Sequence, residues 1–221
     1  IMLPIIAVLL AALFALTAPG DARTANAGIP TVLLPIASSP LVTVRIQFRA
    51  GAADDPAGKQ GLTELTASML TEAGTVKHSY EEITALLYPM AASVNAVVDK
   101  DVTTFVGTTH VENLDRYLDL FMQILLEPRF DARDFERLKT NQSSYLANTL
   151  RGANDEELGK QALGVFMYAG HPYGAPNEGL VSSLETITLD DVKAHYRAMF
   201  TRGNVTIGLA GGYPKNLVEK I

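Results

Sequence analysis

Residues 61–75 read GLTELTASMLTEAGT. Leu62, Leu65, Met69 and Leu70 recur at the three- and four-residue intervals of one helical face, so the stretch is expected to form a buried helix. Residues 51–59, just before it, are rich in Gly, Asp, Ala and Pro, the composition of a loop that delivers the chain into that helix.

Upstream, TVLLPIASSPLVTVRIQFRAG holds two β-rich runs split by a Ser-Ser-Pro turn signal. Val42, Val44, Ile46 and Phe48 alternate on one face, and the expectation is a hairpin feeding a sheet. Downstream, SYEEITALLYPM is a second helix, with Ser79 as N-cap, Glu82 completing a capping box and Pro89 ending it. SVNAVVDKDVTTFVGTTHV suits two antiparallel strands that turn near residues 99–101.

Two amphipathic helices follow, NLDRYLDLFMQILLEP and the unusually long DARDFERLKTNQSSYLANTLRGA. Further helices are expected over residues 155–168 and, after a Thr188 cap, over LDDVKAHYRAMF. NVTIGLAGG reads as a buried strand closed by glycines, and YPKNLVEKI begins another helix. Strands first, with helices in pairs between strands, give an α+β class: an antiparallel-rich sheet with helices packed on one face.

Composition narrows the function classes. The chain has 221 residues, 48% hydrophobic and 19% charged, which is enough to bury a core. Its net charge of −6 is dispersed, and no Lys/Arg run could neutralise a row of phosphates, which argues against nucleic acid as a partner. It has no cysteine, which excludes disulfides, thiol nucleophiles and Cys-based metal sites. Residues 1–19 are apolar, and Ala25 and Ala27 form an A-x-A pattern before Gly28. Residues 1–27 are therefore read as a secretory signal, with a retained membrane anchor as the alternative, and residues 28–221 as the globular part. Either reading puts that part in the periplasm or at a membrane face.

Several phrases, in order, carry a family resemblance: RAGAADDP at residues 49–56, GLTELTASMLTEAGT, SVNAVVDKDVTTF, EPRFDARDFERLK at 127–139, HPYG at 171–174 and ITLDDVKAHYRAMFTRGNVTIGLAGG. From about Thr31 onward the sequence resembles the N-terminal lobe of the pitrilysin/insulinase (M16) zinc peptidases, the group that includes the mitochondrial processing peptidase and the cytochrome bc1 core subunits. The resemblance implies a lobe of this size followed by a second one, the two closing around extended peptides.

Catalytic members of that family carry H-x-x-E-H on the helix. His residues at i and i+4 share one Zn²⁺, and the Glu beside the second polarises the bound water. Aligned on GLTELTASM, the motif places Glu64 at the first His, Ala67 at the general base and Ser68 at the second His. Ala67 cannot accept a proton, Ser68 is a poor zinc ligand, and one carboxylate is not a site. The distant Glu ligand of the family falls around Ser143 or Ser144, where no carboxylate stands. Neither a catalytic residue nor a metal ligand is assigned, and zinc is expected only on a partner homologue.

No other residues rebuild a site. His78, His110, His171 and His195 contain no i, i+4 pair and read as surface or loop-anchoring residues, His171 before Pro172 fixing a turn. Glu64 and Glu72, eight apart, read as solvated or capping carboxylates. There is no G-x-S-x-G elbow beside Ser143 or Ser144, and Gly211-Gly212 lacks a phosphate-binding context.

The family's frame is retained. The strand equivalent to Ala92, Ser93, Val94, Asn95 and Ala96 lies, in the family, at a sheet edge beside the metal helix, where it pairs with the substrate backbone, a mode that needs no metal. The alternative is that Val94 is core and Asn95 a turn residue. The functions expected are an inactive peptidase-like subunit that pairs with a zinc-bearing homologue and helps bind peptides in the envelope, or a core-like structural subunit of a membrane complex. An active zinc peptidase is the least favoured, since zinc hydrolysis needs three protein ligands and a base.

Overall fold

The computed structural model describes residues 28–219. Residues 1–27, and with them the choice between signal peptide and membrane anchor, lie outside the described residues. In chain order the elements are β1 (Thr31–Pro35), β2 (Leu41–Phe48), α1 (Leu62–Thr71), α2 (Tyr80–Leu87), β3 (Asn95–Val98), β4 (Thr103–His110), α3 (Leu114–Leu126), α4 (Ala132–Ser144), α5 (Asp155–Met167), α6 (Val181–Thr186), α7 (Leu189–Met199) and β5 (Val205–Gly211). The helix expected over YPKNLVEKI appears as a 3₁₀ turn, Leu217–Glu219.

The five strands form one sheet in the order β1-β5-β2-β4-β3. Three of its pairings are antiparallel, but β1 runs parallel to β5, so the sheet is mixed. The expected β1–β2 hairpin does not form, because β5 lies between the two strands and bonds to both. The Ser-Ser-Pro segment instead carries the chain around the end of β5. That passage is tight: Gly211 has φ 109°, and a Cβ there would sit 1.9 Å from the Leu41 carbonyl oxygen. One at Gly212 would sit 2.0 Å from that of Ser39. The closing glycines of NVTIGLAGG thus exist to let β1 and β2 straddle β5.

Burial follows the strand alternation. Val42, Val44, Ile46 and Phe48 point inward with Phe105, Ile207 and Leu209, and pack on Tyr117, Phe121 and Ile124 of α3. Leu62, Leu65 and Met69 of α1 join a second cluster with Phe135, Leu138, Leu146, Leu184 and Val192. Ala67 and Leu70 reach the first cluster, so α1 is wedged between the sheet and the other helices. The opposite sheet face is polar at its centre, with cross-strand bonds between Thr43 and Thr108 (2.8 Å) and from Gln47 to Thr104 (3.1 Å), and exposes Val32, Leu34 and Val97 on its outer strands. Helices therefore cover one face.

The caps at Ser79 and Thr188 form as capping boxes, with Glu82 and Asp191 as their third residues. The long helix from Ala132 is not uniform: after Ser144 it loosens into one π-helical stretch, Tyr145–Leu150, and a last α-turn, Arg151–Ala153.

Candidate functional site

The N-terminus of α1 is built by Asp55. Its Oδ2 accepts the Gly61 N–H (2.7 Å), and its Oδ1 accepts both the Thr63 N–H (2.8 Å) and the Thr63 hydroxyl (2.6 Å). A carboxylate on the first free N–H groups of a helix satisfies them and matches the positive end of its dipole. Burial still pushes the Asp55 carboxyl above its ordinary value, against the lowering effect of these bonds. Thr63 Oγ1 also lies 2.9 Å from His195 Nε2 on α7. The hydroxyl has one proton and gives it to Asp55, so the imidazole donates from Nε2. Burial lowers the His195 pKa and keeps the ring neutral. His195 is thus a core residue joining α7 to α1, which corrects its reading as a surface or loop histidine. Of the others, His171 does fix its turn, its Nδ1 accepting the Tyr173 N–H.

A second approach brings a distant carboxylate to α1. A Cβ on Gly61 would meet the Glu178 carbonyl oxygen at 2.8 Å, and one on Gly179 would meet that of Gln60 at 2.1 Å. Both glycines have positive φ, which allows residues 177–180 to run against the start of the helix. Gln142 Nε2 fastens the junction by donating to the Gly61 and Glu178 carbonyls (3.2 and 2.9 Å).

These contacts border a cavity of about 330 Å³ that opens to solvent. Glu64 and Ser68 of α1 and its C-cap residue Glu72 line it with Glu178 and with Asn141, Gln142 and Tyr145 from α4 and its extension. The Glu64 carboxyl is pushed up from 4.5 to about 7, chiefly by burial and then by the Glu178, Glu72 and Asp55 carboxylates. The Glu72 and Glu64 pair, read as solvated or capping groups, therefore splits: Glu72 is exposed, while Glu64 faces a crowded acidic interior. Burial and the Glu178 and Glu157 carboxylates raise the Tyr145 hydroxyl as well. The polar side chains that face α1 across this cavity are Asn141, Gln142 and Tyr145, whereas Ser143 and Ser144 line a separate surface cleft with Glu136 and Lys139.

This donor set does not fit zinc. No histidine stands in the cavity, and the general-base position, Ala67, is 1% exposed with its methyl group in the sheet cluster. Among the described residues no group of three or more His, Cys, Asp or Glu side chains is placed to hold a metal ion. A zinc hydrolase needs three protein ligands and a base, and the cavity's carboxylates, Glu64, Glu72 and Glu178, are not grouped to hold an ion.

The edge strand lies beside this helix, displaced along the chain from the stretch the resemblance marked. Strand β3 begins at Asn95, so Asn95 and Ala96 are in it, while Ala92, Ser93 and Val94 precede it. Val94 is buried in the core, and the Ser93 carbonyl is taken by the Tyr117 hydroxyl (3.0 Å). Among the described residues strand β3 pairs with β4 on one side alone, which leaves its other edge open, and Val97 is 58% exposed.

A mixed sheet clad by helices on one face, with a buried helix set beside an open edge strand, defines a peptidase-like lobe. The chain belongs to the insulinase family, peptidase family M16, whose model matches residues 31–177. Over 173 residues it is 25% identical to the non-peptidase homolog YmxG of Helicobacter pylori, covering 78% of this chain and 39% of that protein. It is 21% identical over 132 residues to the mitochondrial-processing peptidase subunit beta of Caenorhabditis elegans, covering 60% and 28%. The fold is similar to the crystal structure of a peptidase M16 inactive domain from Pseudomonas fluorescens (TM-score 0.79, 25% identity, 87% of this chain and 46% of that one). It is also similar to that of a protease from H. pylori (TM-score 0.77, 18% identity, 90% and 47%). The chain thus spans less than half the length of each of these proteins.

Proposed function

We propose that this lobe is part of a catalytically inactive M16-like subunit, exported to the envelope, which pairs with a zinc-bearing homologue and offers the open edge of β3 to extended peptides. One observation carries the reading: a buried helix, α1, stands beside the edge strand β3, while Glu64, Ala67 and Ser68 occupy the positions to which the family resemblance gives ligands and base. An added strand is held by main-chain hydrogen bonds and asks nothing of a metal. The inactive domain and the non-peptidase homologue among the relatives support the loss of chemistry.

Native mass spectrometry of the full-length protein, gently extracted from its own cells, tests the pairing. A complex with a second, zinc-loaded homologue is expected. Peptide cleavage by this chain without such a partner would refute the proposal. A zinc-free mass inside a larger membrane assembly would support the core-like scaffold reading instead, for which the apolar residues 1–19 argue. The β3 edge is tested separately with an extended peptide and its copy N-methylated at alternate residues, because only the unmethylated strand can complete the ladder.

A further inference from the structure

Helix α5 is only loosely attached to the rest of the molecule, with Leu158 packed against the second core cluster. It has 13 residues, none of them buried. Leu163, Phe166 and Met167 share one side of it, and Phe166 is 81% exposed. Cavities of about 560 and 740 Å³ open along the helix, and Val165 lines both. Its sequence does not favour an isolated helix, for it contains Gly159 and Gly164, where an added Cβ would meet nothing within 4 Å. A helix of this length with one apolar residue docked on the core is marginal in water.

Both ends of this segment differ from ordinary connections. Before it, residues 145–150 form the π-helical stretch, a place where a helix changes register or bends. After it, residues 171–177 are fastened to the β3–β4 turn. The Tyr173 hydroxyl donates to Asp101, Lys100 Nζ donates to the Ala175 carbonyl, and Asn177 Nδ2 donates to the Val98 carbonyl (3.0 Å). The His171 and Tyr173 rings stack edge to face at 4.8 Å. One more tie leads inward: Gln161 Nε2 of α5 donates to the Glu178 carboxylate (3.1 Å), which forms part of the Glu64 cavity wall.

We propose that residues 151–176 are a hinged arm, turning at the π-helical stretch and latched by Tyr173 to Asp101, whose release frees the Glu178 wall of the Glu64 cavity. Weak packing makes the arm a low-stability unit, opening while α3 and the sheet stay folded. Closing it ties the β3–β4 turn, α5 and the cavity wall into one body. The device belongs to this chain alone and does not require that β3 take a peptide.

Hydrogen exchange on the full chain, read by mass spectrometry, tests this without any ligand. Amides of α5 should exchange about a hundredfold faster than those of α3, as for local rather than global opening. Tyr173→Phe removes the latch hydroxyl and should speed exchange over 155–176 by about tenfold, with α3 unchanged. Gly159→Ala and Gly164→Ala, which place a methyl group in open space, should each slow it by about fivefold. Protection of α5 equal to that of α3 would overturn the arm. A Tyr173→Phe variant that leaves α5 unchanged, or speeds α3 equally, would overturn the latch.

Discussion

Replacing Glu64 by Gln should stabilise the protein, and only at neutral to alkaline pH. The carboxyl lies among Glu178, Glu72 and Asp55 and is raised from 4.5 to about 7 by burial first and by those neighbours second. Because the folded chain holds the proton more tightly than the unfolded chain, this contribution is complete below about pH 4.5. It is lost as the pH rises through about 7. At 1.36 kcal/mol per pH unit the displacement is worth about 3.4 kcal/mol, and solvent at the cavity mouth brings the usable figure to about 2 kcal/mol. An uncharged isostere escapes that cost. Thermal unfolding at pH 4.5 should therefore show nearly equal midpoints for the two proteins, while at pH 8 the Glu64→Gln variant should unfold about 4–8 °C higher. An equal difference at both pH values would refute the reasoning, since it would mean that Glu64 acts through shape rather than charge.

Thr63→Val keeps the volume but strips the hydroxyl that joins Asp55 to His195, leaving the buried His195 Nε2 without its partner and the Asp55 carboxylate with only its two backbone N–H donors. It should cost about 2–3 kcal/mol in denaturant unfolding. Gly211→Ala would drive a methyl group into the Leu41 carbonyl at a left-handed φ. A loss of 3 kcal/mol or more is expected on the order of other buried backbone clashes, read from the urea midpoint. Restoring the motif with Glu64→His, Ala67→Glu and Ser68→His should yield no zinc-dependent peptide cleavage. The α4 side, Asn141, Gln142 and Tyr145, still supplies no carboxylate, Glu72 and Glu178 are not grouped to hold an ion, and the Ala67 position lies in the core. Zinc-stimulated hydrolysis by that triple variant would show the frame to be more permissive than its packing indicates.

Features set by neighbouring residues were legible in the sequence. The capping boxes at Ser79 and Thr188, the alternation of Val42 to Phe48 and the turn at residues 99–101 each depend on a few adjacent positions. The insertion of β5 between β1 and β2 has no such signal, because a parallel pairing of Val32 with Gly208 leaves no local trace. The same holds for Glu178, which reaches α1 through two glycines that are far apart in the chain. Tyr145 and His195 are different. Counting three, four and seven from the buried Leu138 leads to Asn141, Gln142 and Tyr145, and three from Val192 leads to His195. Helical periodicity could have found these residues where a borrowed ligand spacing pointed to Ser143 and Ser144.

The position of β5 also fixes the order in which the lobe can be assembled. Strands β2, β3 and β4 are all within the first 110 residues and can pair as soon as they are made. Their sheet then carries a bare flank on β2 until Val205–Gly211 arrives, and β1 has nothing to bind before that strand takes its place. A chain halted before residue 205 would display that flank, rich in valine and isoleucine, to every other such chain nearby. Among the described strands the one made last is therefore the one that seals this sheet, and a chain halted or clipped before residue 205 should aggregate, whereas one that carries Val205–Gly211 should not.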